Sequence, residues 1–110
     1  MAVRLEKPWI PLTQEHLRHV KGQLGVYQLG SNDQGVRYVG VADARSAFGL
    51  RGALEAVLAT GRETCFRYEV TTAYQTRYRE LLMAHVADHG ELPPENDPAT
   101  VPALGRLSPS

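Results

Sequence analysis

Cysteine is almost missing from this chain. Cys65 is the only one, so no disulfide can form within it and a reducing compartment is compatible. Its neighbours read as a strand entrance, where a lone thiol acts as a small buried hydrophobe. Excess charge is missing too: twelve basic and twelve acidic residues give a formal net charge of zero at pH 7. The chain as a whole is therefore not drawn to nucleic acid, and any such binding must rest on a local patch. Long hydrophobic runs are also lacking. No stretch approaches the ~18 apolar residues of a membrane span, and Met1 to Lys7 lacks the apolar run of a signal peptide. These absences lead us to expect a soluble, cytoplasmic protein with no membrane partner, free of repeats and low-complexity blocks.

What is present fits one small domain. The chain has 110 residues, 43% hydrophobic and 22% charged, enough for one core and too few for two. Residues 1–24 read as an N-terminal extension with a short helix, 25–96 as the domain proper and 97–110 as a flexible, proline-spaced tail. In the extension, Pro8 and Pro11 bracket Trp9, a packing anchor, in an extended or irregular segment. Thr13 fits an N-cap for a helix of about Gln14 to Lys21, with Leu12 and Leu17 placed as a hydrophobic staple. His16 and His19 lie three apart on it without a Cys or acidic partner, which favours a solvated face over a metal pair.

The centre of the chain is the stretch from Gly25 to Gly40. β-formers Val26, Tyr27 and Leu29 precede the turn-rich run Gly30 to Gly35, and Val36, Tyr38, Val39 and Val41 follow it, which predicts a β-hairpin. With a side-chain period of two, Gly25, Tyr27 and Leu29 share one face, as do Tyr38 and Gly40. The two tyrosines therefore meet if the register permits. A loop then leads to an apolar helix of about Leu50 to Ala59 ended by Gly61, with Leu50, Leu54, Val57 and Leu58 as its buried stripe. A third strand, about Cys65 to Thr71, alternates Phe66, Tyr68 and Val70 with Arg67, Glu69 and Thr71, marking one buried and one wetter face. A second long helix, about Ala73 to His89, closes at Gly90, and Tyr74, Tyr78, Leu81, Leu82, His85 and Val86 trace its apolar face. His85 and His89 fall in its last turn, where the dipole favours cationic histidine.

Gly25-Val26-Tyr27 and Tyr38-Val39-Gly40, about ten residues apart, resemble the paired motif of the GIY-YIG nuclease superfamily, with Val replacing each Ile. The order of hairpin, helix, strand and helix resembles it as well. An ordinary hairpin whose tyrosines pack a core is the other reading of the triplets. The resemblance implies an α/β (α+β) domain, a small three-stranded, mainly antiparallel sheet flanked by helices. It implies a site built from Tyr27, Tyr38, Arg51, Glu80 and Asn96. Arg51 opens the first long helix, where a cation faces the positive end of the helix dipole, so helix stability does not explain it and a phosphate or carboxylate partner would. The alternative is a solvated arginine. Glu80 flanks the apolar face of the second helix, where the resemblance implies that it binds a single divalent metal, Mg²⁺ or Mn²⁺; Arg77 or Arg79 pairing with it on a solvated rim is the other reading. Asn96 closes Pro94-Glu95-Asn96, similar to the family's closing motif, or is a turn asparagine.

The chemistry implied by the resemblance is metal-dependent hydrolysis of a DNA phosphodiester by a GIY-YIG-type endonuclease. Arg51 would stabilise charge building on the phosphoryl group, and Tyr38 would orient the water or phosphate. Tyr27 would accept the water's proton, which requires neighbouring cations to lower a phenol pKa of about 10. The chain departs from the family's pattern at Val41, where a basic or hydroxyl residue is common, at Glu55, where a histidine is common, and in a longer loop from Val41 to Leu50. Glu55 would repel substrate, or pair with Arg51 at (i, i+4) spacing. A catalytically inactive binding or protein-interaction module on the same fold is therefore the alternative. In the enzyme reading, DNA is bound weakly by the domain alone and a protein partner or homo-oligomer adds affinity.

Overall fold

A computed structural model of the chain describes residues 4, 5, 7–31, 35–43, 48–61 and 65–99. The tip of the hairpin turn, the middle of the Val41 to Leu50 loop and most of the C-terminal tail lie outside the described residues. The elements run β1 (Ile10–Pro11), α1 (Gln14–Leu17), β2 (Gly25–Ser31), β3 (Gly35–Ala42), α2 (Gly49–Thr60), β4 (Cys65–Val70) and α3 (Tyr74–His89). The result is an α+β fold in which four antiparallel strands take the order β1-β4-β2-β3.

The sheet has one strand more than the three expected. Ile10 and Pro11 pair antiparallel with Phe66 and Cys65, extending the sheet at the edge of β4. A two-residue strand containing proline carries no periodicity, and proline's missing N–H is tolerated at an edge. α1 starts as expected, with the Thr13 hydroxyl accepting from the His16 N–H, and the staple residues Leu12 and Leu17 are both buried. It ends at Leu17, short of Lys21, because the next bonds tighten to His19 N–H on His16 O and Val20 N–H on Leu17 O. That tighter turn tucks Val20 into the core.

β2 is the central strand. Its register sets Tyr27 opposite Gly40 and Leu29 opposite Tyr38 on one side, and Tyr27 opposite Tyr68 and Leu29 opposite Phe66 on the other. Tyr27 and Leu29 therefore lie with Phe66 on one face, packed with Leu17 of α1 and Leu50 and Leu54 of α2. Val26 and Val39 point to the opposite face, against Leu81 and Leu82 of α3 and Leu5 of the N-terminal segment. Both sheet faces are thus covered, where the alternation in β4 suggested a wetter one; Arg67 and Glu69 are half-buried beneath neighbouring segments.

The outer edge of β3 is sealed by the segment after α3. α3 stops at Gly90, whose φ of 79° is one that glycine adopts without strain. The chain then returns along β3, where the Glu95 N–H donates to Arg37 O and the buried Asn96 side chain takes both backbone groups of Val39. An edge that would otherwise present unpaired groups is closed.

Candidate functional site

Tyr27 and Tyr38 do meet. Their ring centroids are 6.2 Å apart with the planes tilted by 39°. Gly40 explains how: a Cβ there would collide with the Tyr27 ring, so only glycine lets the phenol lie across β3. Tyr27 is buried and Tyr38 half-buried. Burial first, then the neighbouring Tyr38 and Tyr78 phenols, hold the Tyr27 hydroxyl far above the usual tyrosine range. Burial and Tyr38 raise Tyr78 in the same direction. Among the described residues no cation offsets these effects, so the isolated site favours the protonated phenol, and the proton-accepting role that the family resemblance implies would need a cation brought by substrate or metal.

Arg51 lies in the first turn of α2, the helix whose Leu50 and Leu54 pack on the tyrosine face. Its Nε reaches the Glu55 carboxylate at 3.4 Å, with the two side chains 41% and 38% exposed. Of the two roles open to Glu55, repelling substrate or pairing with Arg51, the pairing is the one present. Gln14 of α1 also donates to that carboxylate at 3.4 Å.

Glu80 belongs to α3, which packs on the opposite face of the sheet. Its carboxylate is 3.4 Å from Arg77, whose Nε donates to Glu69 at 2.9 Å, so one guanidinium bridges two carboxylates. Tyr78, two residues earlier on the same helix, packs against the α3-side cluster of Val26, Val39, Leu81 and Leu82. Among the described residues no group of three or more His, Cys, Asp and Glu side chains assembles. As a half-exposed hard oxygen donor, Glu80 fits a largely hydrated Mg²⁺ held by one carboxylate, with Arg77 as its competitor.

Asn96 has a different place from an open-site residue. Its Oδ1 accepts from the Val39 N–H at 2.9 Å and its Nδ2 donates to Val39 O at 3.0 Å. It clamps the strand between Tyr38 and Gly40, which positions the phenol from behind. The Arg37–Glu95 ion pair, 3.0 Å, reinforces the same clamp.

Of the five side chains, then, Tyr27 and Tyr38 touch, Arg51 occupies a helix on their side of the sheet, Glu80 is held by Arg77 on the helix behind it, and Asn96 supports the hairpin. Tyr78, packed on the α3 side, acts on Tyr27 only through its effect on the phenol's pKa. Its apolar-face position on the helix was legible in the sequence, its effect on Tyr27 was not. A polar group on the other face went unread: Gln28, buried at 6% exposure, and Arg67, whose Nε donates to Gln28 Oε1 at 2.7 Å. A glutamine in the middle of a strand whose other residues up to Gly30 are Gly, Val, Tyr and Leu was the available signal.

The family described as domain of unknown function (DUF7508) matches residues 3–88, which include the hairpin, α2, β4 and nearly all of α3. Comparison with curated proteins yields no match.

Proposed function

The chain belongs to the DUF7508 family, whose description names no activity, and we propose from its own side chains that it is a GIY-YIG-type domain that hydrolyses phosphodiesters of DNA. One observation carries this reading: Tyr27 and Tyr38 meet over Gly40 at 6.2 Å between ring centroids, on the side of the sheet packed by the helix bearing Arg51. Two phenol donors and a guanidinium are the groups a phosphate needs, since each supplies N–H or O–H to an anionic oxygen. Tyr38 is the more accessible phenol and orients the phosphate or the attacking water. Tyr27, kept protonated and buried, fixes Tyr38 through the hydrogen bond between the two phenols. Arg51 stabilises the charge that builds on the phosphoryl group once its pair with Glu55 opens.

Glu80 is the residue that would hold Mg²⁺ or Mn²⁺. When bound, the ion supplies charge neutralisation at the departing oxygen. The zero net charge makes DNA binding by the isolated domain weak, so a protein partner or a second copy adds affinity, and the single reduced cysteine suits the cytoplasm. The test is nicking of supercoiled plasmid. Cutting should require Mg²⁺ or Mn²⁺ and vanish in Glu80→Ala, with the melting temperature within a few degrees of wild type.

The Arg51–Glu55 pair favours a second reading, a non-catalytic binding module in which the guanidinium is permanently occupied. Inertness of the wild-type protein on duplex, branched and single-stranded DNA with either metal selects that reading.

A further inference from the structure

On the α3 face, away from the tyrosines, a half-open cavity of about 220 Å³ lies between the N-terminal segment, the end of β2 and the last turns of α3. Gln28 and Arg67 form its polar floor and Leu5, Val36, Leu81 and Ala84 its apolar wall. Two features of the floor are uncompensated. The Arg67 guanidinium is half-buried, donates to Gln28 Oε1 at 2.7 Å and to Lys7 O at 3.0 Å, and lies 4.2 Å over the Trp9 ring. No carboxylate among the described residues pairs with it, and burial alone depresses its pKa. The acid on the cavity's rim, Asp88, is engaged by Arg4 through two bonds of 2.6 and 2.7 Å. A desolvated cation without a counter-ion is costly.

The second feature is Gln28 itself. Arginine can only donate, so the oxygen of the Gln28 amide must face Arg67, which fixes the amide's orientation. The two N–H groups on Nε2 are left with no acceptor among the described residues, on a side chain 94% buried, the complement of its 6% exposure. Buried donors of this kind are normally satisfied. The spare guanidinium protons of Arg67 and the amide protons of Gln28 are therefore neighbouring donors without an acceptor among the described residues, beside an apolar wall.

We propose that this cavity binds a small organic carboxylate, its anionic head accepting from Arg67 and Gln28 and its apolar body lying against Leu5, Val36, Leu81 and Ala84. At the floor one cation and one neutral donor match a single negative charge, which favours a carboxylate there, with His85, His89 and the Arg4–Asp88 pair on the rim. Trp9 holds the guanidinium in place by stacking, so Arg67 arrives preorganised. The site is separate from the tyrosine cluster and does not depend on any reaction there.

Titration of the ¹⁵N-labelled full chain with benzoate, benzamide and inorganic phosphate tests this. Benzoate should shift the Arg67 Nε–H and Gln28 side-chain amide signals saturably, and Gln28→Leu or Arg67→Met should weaken its affinity at least about tenfold, the loss of a charge-assisted hydrogen bond. Gln28→Leu retains a buried side chain of similar size and guards against an unfolded Arg67 variant. No saturable shift with benzoate up to its solubility limit overturns the site. Equal binding of neutral benzamide overturns the anionic head, and binding of phosphate in preference to benzoate overturns the carboxylate class.

Discussion

The two faces of β2 handle polarity in opposite ways. On the α2 side the strand presents Tyr27, whose hydroxyl is buried and kept neutral by its surroundings. On the α3 side it presents Gln28, which receives a charged guanidinium from Arg67, and next to it Arg77 bridges Glu69 and Glu80. The polar group that β2 itself presents on the α2 side is a neutral phenol, whereas the α3 side gathers two guanidinium groups, Arg77 paired with carboxylates and Arg67 held by an amide and a backbone oxygen. Residues one position apart on a single strand thus prepare two chemistries, a neutral donor cluster and a cationic one, and the alternation of the pleat keeps them apart.

The largest way to break the comparison is through the layer that fixes both faces. Phe66 is fully buried under α2, and Phe66→Ala should cost about 3–5 kcal/mol by urea unfolding, because the cavity adds to the lost burial. Next is Gly40→Ala, whose Cβ collides with the Tyr27 ring. It should cost about 1–3 kcal/mol and perturb the NMR signals of Tyr27 and Tyr38, while Gln28 and Arg67 on the far face keep theirs. Asn96→Ala leaves the Val39 N–H and C=O at the β3 edge without partners. A loss of about 1–3 kcal/mol is expected, with faster amide exchange at Val39 as the specific mark.

Alkaline pH probes the buried phenols without mutation. Tyr27 and Tyr78 have pKa values raised above the ordinary 10.0, so the native state holds their protons more tightly than the unfolded chain does. Their stabilisation is complete below about pH 10 and is lost as pH rises through the folded values. A urea midpoint that declines above pH 10, and declines less in Tyr27→Phe, is the expected outcome. The smallest effect belongs to Glu55→Gln: the pair it breaks is exposed, so stability should change by no more than about 0.5 kcal/mol. Binding of a short DNA duplex should nevertheless tighten, since Arg51 is released.

Much of the fold was legible because its signals are local. β-formers around a turn-rich run marked β2 and β3, period-two alternation marked β4, Thr13 marked the start of α1, and Gly61 and Gly90 marked the ends of α2 and α3, each in a left-handed conformation. β1 has no sequence signal because two residues make no pattern, and nothing in His19-Val20-Lys21 forbids helix, although the chain there tightens and buries Val20. In the candidate site, the meeting of Tyr27 and Tyr38 followed from face parity plus an unknown register. The raised pKa of Tyr27 did not follow, since it arises first from burial by distant segments and then from the Tyr38 and Tyr78 phenols. Asn96 was readable as a residue with a role, but that its amide would clamp Val39 depends on how the chain returns after Gly90. Arg67 and Gln28 are thirty-nine positions apart, and only strand pairing makes them neighbours.

The claim that the two phenols and Arg51 form a phosphate site is tested most directly by a crystal structure of Glu80→Ala, which should not cut, bound to a short DNA duplex with Mg²⁺. A backbone phosphate held by Arg51 and by the Tyr38 hydroxyl, with Glu55 swung away, is the result the account predicts. DNA seated elsewhere, with the Arg51–Glu55 pair intact and Tyr38 untouched, would contradict it.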